Sequence, residues 1–265
     1  MTFEAINKFR AELKAGKVCI GPGITFSDPM VTDAMATSSD FIWIDLEHGG
    51  MSPEALSAHL LAARHHGLPG IVRLPGGGTA LVKPALDSGA DGIIIPQIRT
   101  VEEVKQLVDD CRYPPIGHRG FGPRVPSDYF RNATPEFVVR SNESVFVAVM
   151  IETAEAYAAI ADIVAVPGLD SVVIGPADLS WALGAKGDMN DPRLVTAFET
   201  IIQQAKKAGC PVGCGMGPDP VFANLMAQRG AQWLQVGADC AILIQGFDQV
   251  RSVYNSLRDK TGASQ

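Results

Sequence analysis

SVVIGPADLSWALGAKGDMNDPRLVTAFETIIQQAKKAGCPVGCGM, residues 171–216, decides the fold. It opens on an apolar run, SVVIGPADL (171–179), and closes on another, PVGCGM (211–216). Runs of Val and Ile without polar alternation mark strands buried on both faces of a parallel sheet. Between them DPRLVTAFETIIQQAKKAG (191–209) has a helical pattern, with Pro192 as first helical residue and Gly209 as its stop. Strand, helix, strand is one parallel crossover unit.

The same unit recurs outward in both directions. Upstream lie strand-like runs VCIGPGIT (18–25), FIWIDLEH (41–48), GIVRLP (70–75), GIIIPQI (92–98) and VFVAVMIET (145–153); downstream lies WLQVGAD (233–239). Helical patterns fall at 53–67, 101–111, 218–230 and 241–257. Eight strands alternating with helices in 265 residues predict an α/β fold, a single-domain (β/α)₈ TIM barrel, which typically needs ~250 residues. A doubly wound sheet is the alternative, but Gly21 and Gly23 lack the third glycine of a dinucleotide loop. The barrel is expected over 1–258, with one irregular insertion at about 112–134 and a loose tail at 259–265.

Bulk properties narrow the function. A net charge of −7 disfavours nucleic-acid binding. No apolar run approaches the ~20 residues needed to span a bilayer, and the N-terminus lacks the apolar core of a secretory signal. The expectation is a cytoplasmic protein with no membrane partner. Five scattered cysteines read as reduced thiols, and the one close pair, Cys210 and Cys214, as small core residues rather than zinc ligands. The 27 glycines and 18 prolines gather at the strand ends and in the insertion, where backbone must turn tightly.

Catalytic groups of a barrel stand at the C-terminal ends of its strands. The polar residues there are Asp45, Glu47 and His48 on strand two, Arg73 on strand three, Gln97 on strand four, Glu152 on strand five and Asp178 on strand six. Glu152 and Asp178 are either ligands for a hard divalent cation or acids that open the following helices. Arg73 either grips a substrate carboxylate or forms a buried salt bridge to Asp45 or Glu47. His48 is a general base or a hydrogen-bonded surface histidine. His59, His65 and His66 are expected on an outer helix face, and His118 is unassigned. None of the nine lysines lies in a strand-like run, so a Schiff-base lysine is not expected, nor is PLP.

IDLEH (44–48), VRLP (72–75), GADGIIIPQI (89–98), RYPPIGHRGFG (112–122), MIET (150–153) and IGPADLS (174–180) together resemble the motif series of the HpcH/HpaI aldolases, class II pyruvate aldolases. The series runs in order across most of the chain. The resemblance implies a carbon–carbon lyase that joins or parts a 2-oxo acid, pyruvate or hydroxypyruvate, and an aldehyde. It implies Glu152 and Asp178 as ligands to Mg²⁺, Mn²⁺ or Co²⁺. It implies His48 as proton acceptor, Arg73 as transition-state stabiliser and substrate contact, and Asp87 as the acid that raises the histidine's basicity. Gly175, Pro176 and Ala177 form the backbone contact to substrate. A homo-oligomer is implied too, a hexamer built as a trimer of dimers that exchange the last helix.

One position departs from the pattern. Several members carry Gln two residues before the metal-binding glutamate, where this chain has Met150. Gln97, on the neighbouring strand, is the candidate replacement, and Gln97→Ala is then expected to raise the pyruvate KM. The loop 117–130 holds His118, Arg119 and Arg124, which suit an anionic substrate end or, with slightly more weight, a subunit interface. The helix at 241–257 carries Leu243, Phe247, Val250, Tyr254 and Leu257 in one stripe, with Ile242, Ile244 and Val253 beside it: more apolar surface than barrel packing needs. Alternatives are an oxaloacetate decarboxylase, an acyl-CoA hydroxy-acid lyase of the citrate or malyl-CoA type and, outside enzymes, an inactive barrel that binds an anion.

Overall fold

The structure is a computed structural model describing residues 3–262. In chain order its first half contains α1 (Glu4–Lys14), β1 (Cys19–Ile24), α2 (Met30–Ala36), β2 (Ile42–Asp45), α3 (Pro53–His65), β3 (Gly70–Arg73), α4 (Thr79–Asp87), β4 (Gly92–Ile95), α5 (Val101–Cys111) and α6 (Pro135–Ser144). The second half contains β5 (Phe146–Ile151), α7 (Ala154–Ala158), α8 (Ile160–Ile163), β6 (Ser171–Ile174), α9 (Pro176–Ala182), α10 (Pro192–Ala208), β7 (Val212–Met216), α11 (Pro220–Arg229), β8 (Trp233–Ala238) and α12 (Asp239–Gly262). The strands pair in parallel, each with its sequence neighbour, and β8 closes on β1. This is the expected (β/α)₈ barrel.

Alternation along the strands separates two cores. Val147, Val149 and Ile151 of β5 point outward into the large cluster beneath the helices, while Phe146, Ala148 and Met150 point into the barrel. The barrel interior is graded along its axis. At the N-terminal end it is aromatic: Phe41, Trp43, Phe146 and Trp233 pack with Ile6, Phe9 and Leu13 of α1. Phe9 lies 5.5 Å from Phe41 and 5.7 Å from Phe146, so α1 plugs that mouth. Room for the indole of Trp233 comes from Gly213, where a Cβ would strike its ring, and its Nε1 donates to Ser171 Oγ at 2.9 Å. With one mouth filled by rings, a ligand has only the other.

Several local expectations are revised. The sixth strand stops at Ile174 rather than Leu179; Pro176, with its fixed φ and no N–H to lose, starts α9, so Asp178 sits in a helix's first turn and not on a strand. His59 is not on an outer surface. It is fully buried, its Nδ1 2.7 Å from Thr32 Oγ1, because α2 packs across α3. His65 is exposed, and the half-buried His66 pairs with Asp33 at 2.7 Å. Cys210 and Cys214 are buried free thiols.

The insertion has no helix or strand between Cys111 and Pro135. Arg119, 2% exposed, anchors it by stacking over Tyr113 at 4.5 Å and bonding Asp87 Oδ1 at 2.7 Å. His118 is exposed and bonds Asp109. α12 continues through residues 259–262; residues 263–265 and the side chain of Leu257 lie outside the described part. Leu243, Ile244, Phe247, Val250, Val253 and Tyr254 are all more than 60% exposed along it. No helix among the described residues is long and apolar enough to cross a membrane.

Candidate active site

The polar end of the barrel begins with a paired register. Asp45 and Arg73, the last residues of β2 and β3, stand opposite each other. Asp45 is 5% exposed and accepts from Arg73 Nε at 3.0 Å and Nη2 at 2.5 Å. Its Oδ1 also accepts from the backbone N–H of Glu47 at 3.0 Å and of His48 at 3.4 Å, which turns the chain sharply after the strand. Arg73 Nη1 reaches Glu47 Oε2 at 3.0 Å and Met150 Sδ at 3.8 Å, and the guanidinium lies over Trp43. The salt-bridge reading of Arg73 is therefore present in this chain, with both acids as partners. His48 is exposed, its Nε2 3.6 Å from Glu47 Oε2.

On the neighbouring side, Glu152 follows β5 and is 2% exposed. Its Oε1 accepts from Gln97 N at 2.8 Å and Gln97 Nε2 at 3.0 Å. Its Oε2 lies against Gly175, where a Cβ would overlap it. Burial pushes the Glu152 carboxyl up to about 7, against the pull of the Gln97 bond; the charges of Asp178 and Glu47 push the same way, and Arg73 opposes them. Glu47 is raised as well, first by its burial. Gly175 and Pro176 are buried, whereas Ala177 and Asp178 are exposed on the first turn of α9.

The fold thus gathers His48, Arg73, Gln97, Glu152, Gly175, Pro176, Ala177 and Asp178 at one rim. Asp87 is elsewhere. It ends α4 on the side where β4 begins, and its carboxylate bonds Arg119, not His48. Two acids went unremarked in the sequence in any positioning role. Asp45 orders the turn that carries His48. Asp239, 4% exposed after β8, accepts from Thr25 Oγ1 and from the N–H groups of Thr25 and Phe26, tying the first and last rim loops together. The signal for Asp239 was its place: an acid directly after an apolar strand.

Among the described residues no three His, Cys, Asp or Glu side chains form a closed metal cage. Glu152 with Asp178 is instead an open set of two carboxylates. Magnesium-like cations are bound in this way, by one or two carboxylates plus oxygens of substrate and water. A buried carboxylate held by two donors on one oxygen, with further acids raising it, fits such a cation: positive charge is what the cluster lacks.

A family model, HpcH/HpaI aldolase/citrate lyase, matches residues 25–246. The chain belongs to this family. It is similar to a hydroxypyruvate/pyruvate aldolase of Roseovarius nubinhibens, 32% identical over 240 residues, 90% of this chain and 93% of that protein. A 4-hydroxy-2-oxo-heptane-1,7-dioate aldolase of Salmonella paratyphi C is 31% identical over 97% of this chain and 98% of its own length. Among solved structures, an HpcH/HpaI aldolase from Desulfitobacterium hafniense superposes with a TM-score of 0.85 at 29% identity, covering 92% of this chain and 95% of that one. The protein is an enzyme of this aldolase family, whose class II members depend in general on divalent metals.

Proposed function

We propose that the rim residues carry out reversible aldol cleavage of a 4-hydroxy-2-oxo acid to an aldehyde and pyruvate or hydroxypyruvate. Glu152 and Asp178 hold Mg²⁺, Mn²⁺ or Co²⁺, which supplies Lewis-acid charge to the 2-oxo acid. The observation that carries this reading is the buried Glu152 carboxyl and the clamped Arg73 guanidinium, set at the ends of the two strands that flank β4 and facing the one open mouth.

His48 accepts the proton of the 4-hydroxyl as the C3–C4 bond breaks, the aldehyde leaves, and the bonding pair moves into the enolate of the 2-oxo acid. Arg73 faces the growing negative charge on the enolate oxygen. Its guanidinium has five N–H donors; hydrogen bonds to Asp45 and Met150 use three of them, and Glu47 adds an ion pair at Nη1, so Nη1 and Nη2 keep donor capacity for substrate. Gly175, Pro176 and Ala177 bind the substrate through backbone. Pro176 has no N–H, so the first uncapped backbone donors at the start of α9 are those of Ala177 and Asp178. His48 then returns that proton to C3 of the enolate, which gives the free 2-oxo acid; in the addition direction it takes the C3 proton and gives it to the new 4-oxygen.

Asp87 raises the basicity of His48 only if a second copy of the chain brings them together, since one chain does not. The exposed apolar stripe of α12 supports a homo-oligomer, read as a hexamer made of three dimers. Four buried free thiols suit a reducing, cytoplasmic setting.

The test is to incubate the protein with pyruvate in D₂O, with and without Mg²⁺ or Mn²⁺, and follow deuterium at C3 by NMR. Metal-dependent exchange is expected. No exchange under either condition overturns the reading. Oxaloacetate forms the same enolate on loss of CO₂, so it is run beside a panel of aldehydes to separate decarboxylation from aldol chemistry.

A further inference from the structure

We propose that Gln97 is a positioning residue that holds Glu152 so that a single oxygen, Oε2, faces the cation. This role rests on the metal-site reading above and adds to it a residue that acts through Glu152 rather than on the substrate.

Gln97 lies two residues beyond the end of β4 with φ 55°, a left-handed conformation unfavourable for any residue with a Cβ. That conformation aims its backbone N–H and its side-chain amide at one atom. Both donate to Glu152 Oε1, at 2.8 and 3.0 Å. A carboxylate oxygen has two lone-pair sites, and here both are taken. Only Oε2 remains, and it occupies the space left by the missing side chain of Gly175. A second tie joins the same two segments: Thr153 Oγ1, next to Glu152, donates to the carbonyl of Ile98, next to Gln97, at 2.7 Å. The carboxylate is therefore fixed in direction before any ligand arrives.

The departure at Met150 fits this arrangement. Met150 lies on the inner face of β5, where its thioether contacts Arg73 and offers Glu152 no hydrogen-bond donor. The amide that orients the glutamate comes from the β4 loop instead.

Ligand-orienting hydrogen bonds of this kind typically change metal affinity by roughly 10–100-fold. Gln97→Gly is the discriminating variant. Glycine adopts the left-handed conformation without strain and keeps the backbone donor, so only the side-chain amide is lost. Gln97→Met keeps the side-chain volume and lacks the donor. Mn²⁺ dissociation constants are measured by EPR of the free ion, with Tm recorded in parallel and Glu152→Gln as the ligand control. The expected result is Mn²⁺ binding weakened about tenfold in both Gln97 variants, with the Tm of Gln97→Gly equal to or above that of wild type. Unchanged Mn²⁺ affinity in Gln97→Gly overturns the positioning role and leaves the metal site standing. A wild-type protein that binds no Mn²⁺, or binds it equally well as Glu152→Gln, overturns the site and this role together.

Discussion

Arg73 and Asp45 share one register at the ends of β3 and β2, and the guanidinium closes on the carboxylate through Nε and Nη2. The fork geometry leaves Nη1 free to reach Glu47 at 3.0 Å, so one side chain bridges two acids. Lysine carries the charge but cannot span both at once. Arg73→Lys is therefore expected to lower kcat for aldol cleavage by roughly 10²–10³, the usual effect of losing one charge-stabilising donor. Circular dichroism should show the fold retained. A loss below about tenfold would mean that the charge alone, without the fork, is sufficient.

Gly175 is a shelf for Glu152. A Cβ there would overlap Oε2 and stand 3.0 Å from both Glu152 Cβ and Met150 Cε. Glu152 Cβ is fixed by its backbone and cannot yield. Gly175→Ala should cost ~1–3 kcal/mol of stability, the range for overpacking, and should weaken Mn²⁺ binding. Gly50→Ala is the control, because nothing lies within 4 Å of its added methyl. Equal Tm for the two variants would show that the shelf is soft.

Much of this site was legible before the structure, and the illegible parts share a cause. The strands were readable because continuous Val and Ile runs have one sensible burial. The end of β6 was misplaced because GPADL continues the apolar run, while the proline in it begins a helix. Nothing local in residues 4–14 says that a face of Ile6, Phe9 and Leu13 plugs a barrel mouth. Gln97 and Glu152 are 55 positions apart, and their bond depends on a left-handed residue that periodicity does not report. His59 looked like a surface histidine because its helix pattern is only weakly one-sided; α2, which covers it, was not recognised as a helix.

His59 makes stability depend on pH. It is fully buried, its Nε2 has no hydrogen-bond partner, and burial lowers its pKa below the usual 6.5. Carbonyls of Phe26 and Ser27 and the acids Asp239 and Asp28 favour the charged form, but less than burial opposes it. Above 6.5 the histidine is neutral folded or unfolded, and its contribution is complete. As pH falls below 6.5 the unfolded chain takes up the proton first, so stability drops until the folded histidine titrates too. Thermal melts between pH 7.5 and pH 5 should show a smaller Tm decline for His59→Gln than for wild type. Parallel declines would remove His59 as the source.

Asp87 and His48 supply the sharpest test of assembly. In one chain they belong to different ends of the barrel: Asp87 bonds Arg119 where β4 begins, and His48 lies past the end of β2. If a twofold partner joins them, each site takes His48 from one chain and Asp87 from the other. His48→Ala and Asp87→Asn should then each be inactive alone. In a mixed dimer one site inherits both defects and the other inherits neither. Random pairing of the two variants makes half the dimers mixed, so about a quarter of wild-type activity should return on co-refolding. Melts of each variant must match wild type, because Asp87 also anchors the insertion through Arg119. Variants that remain inactive after mixing, though both fold and associate, would show that no site is shared between chains.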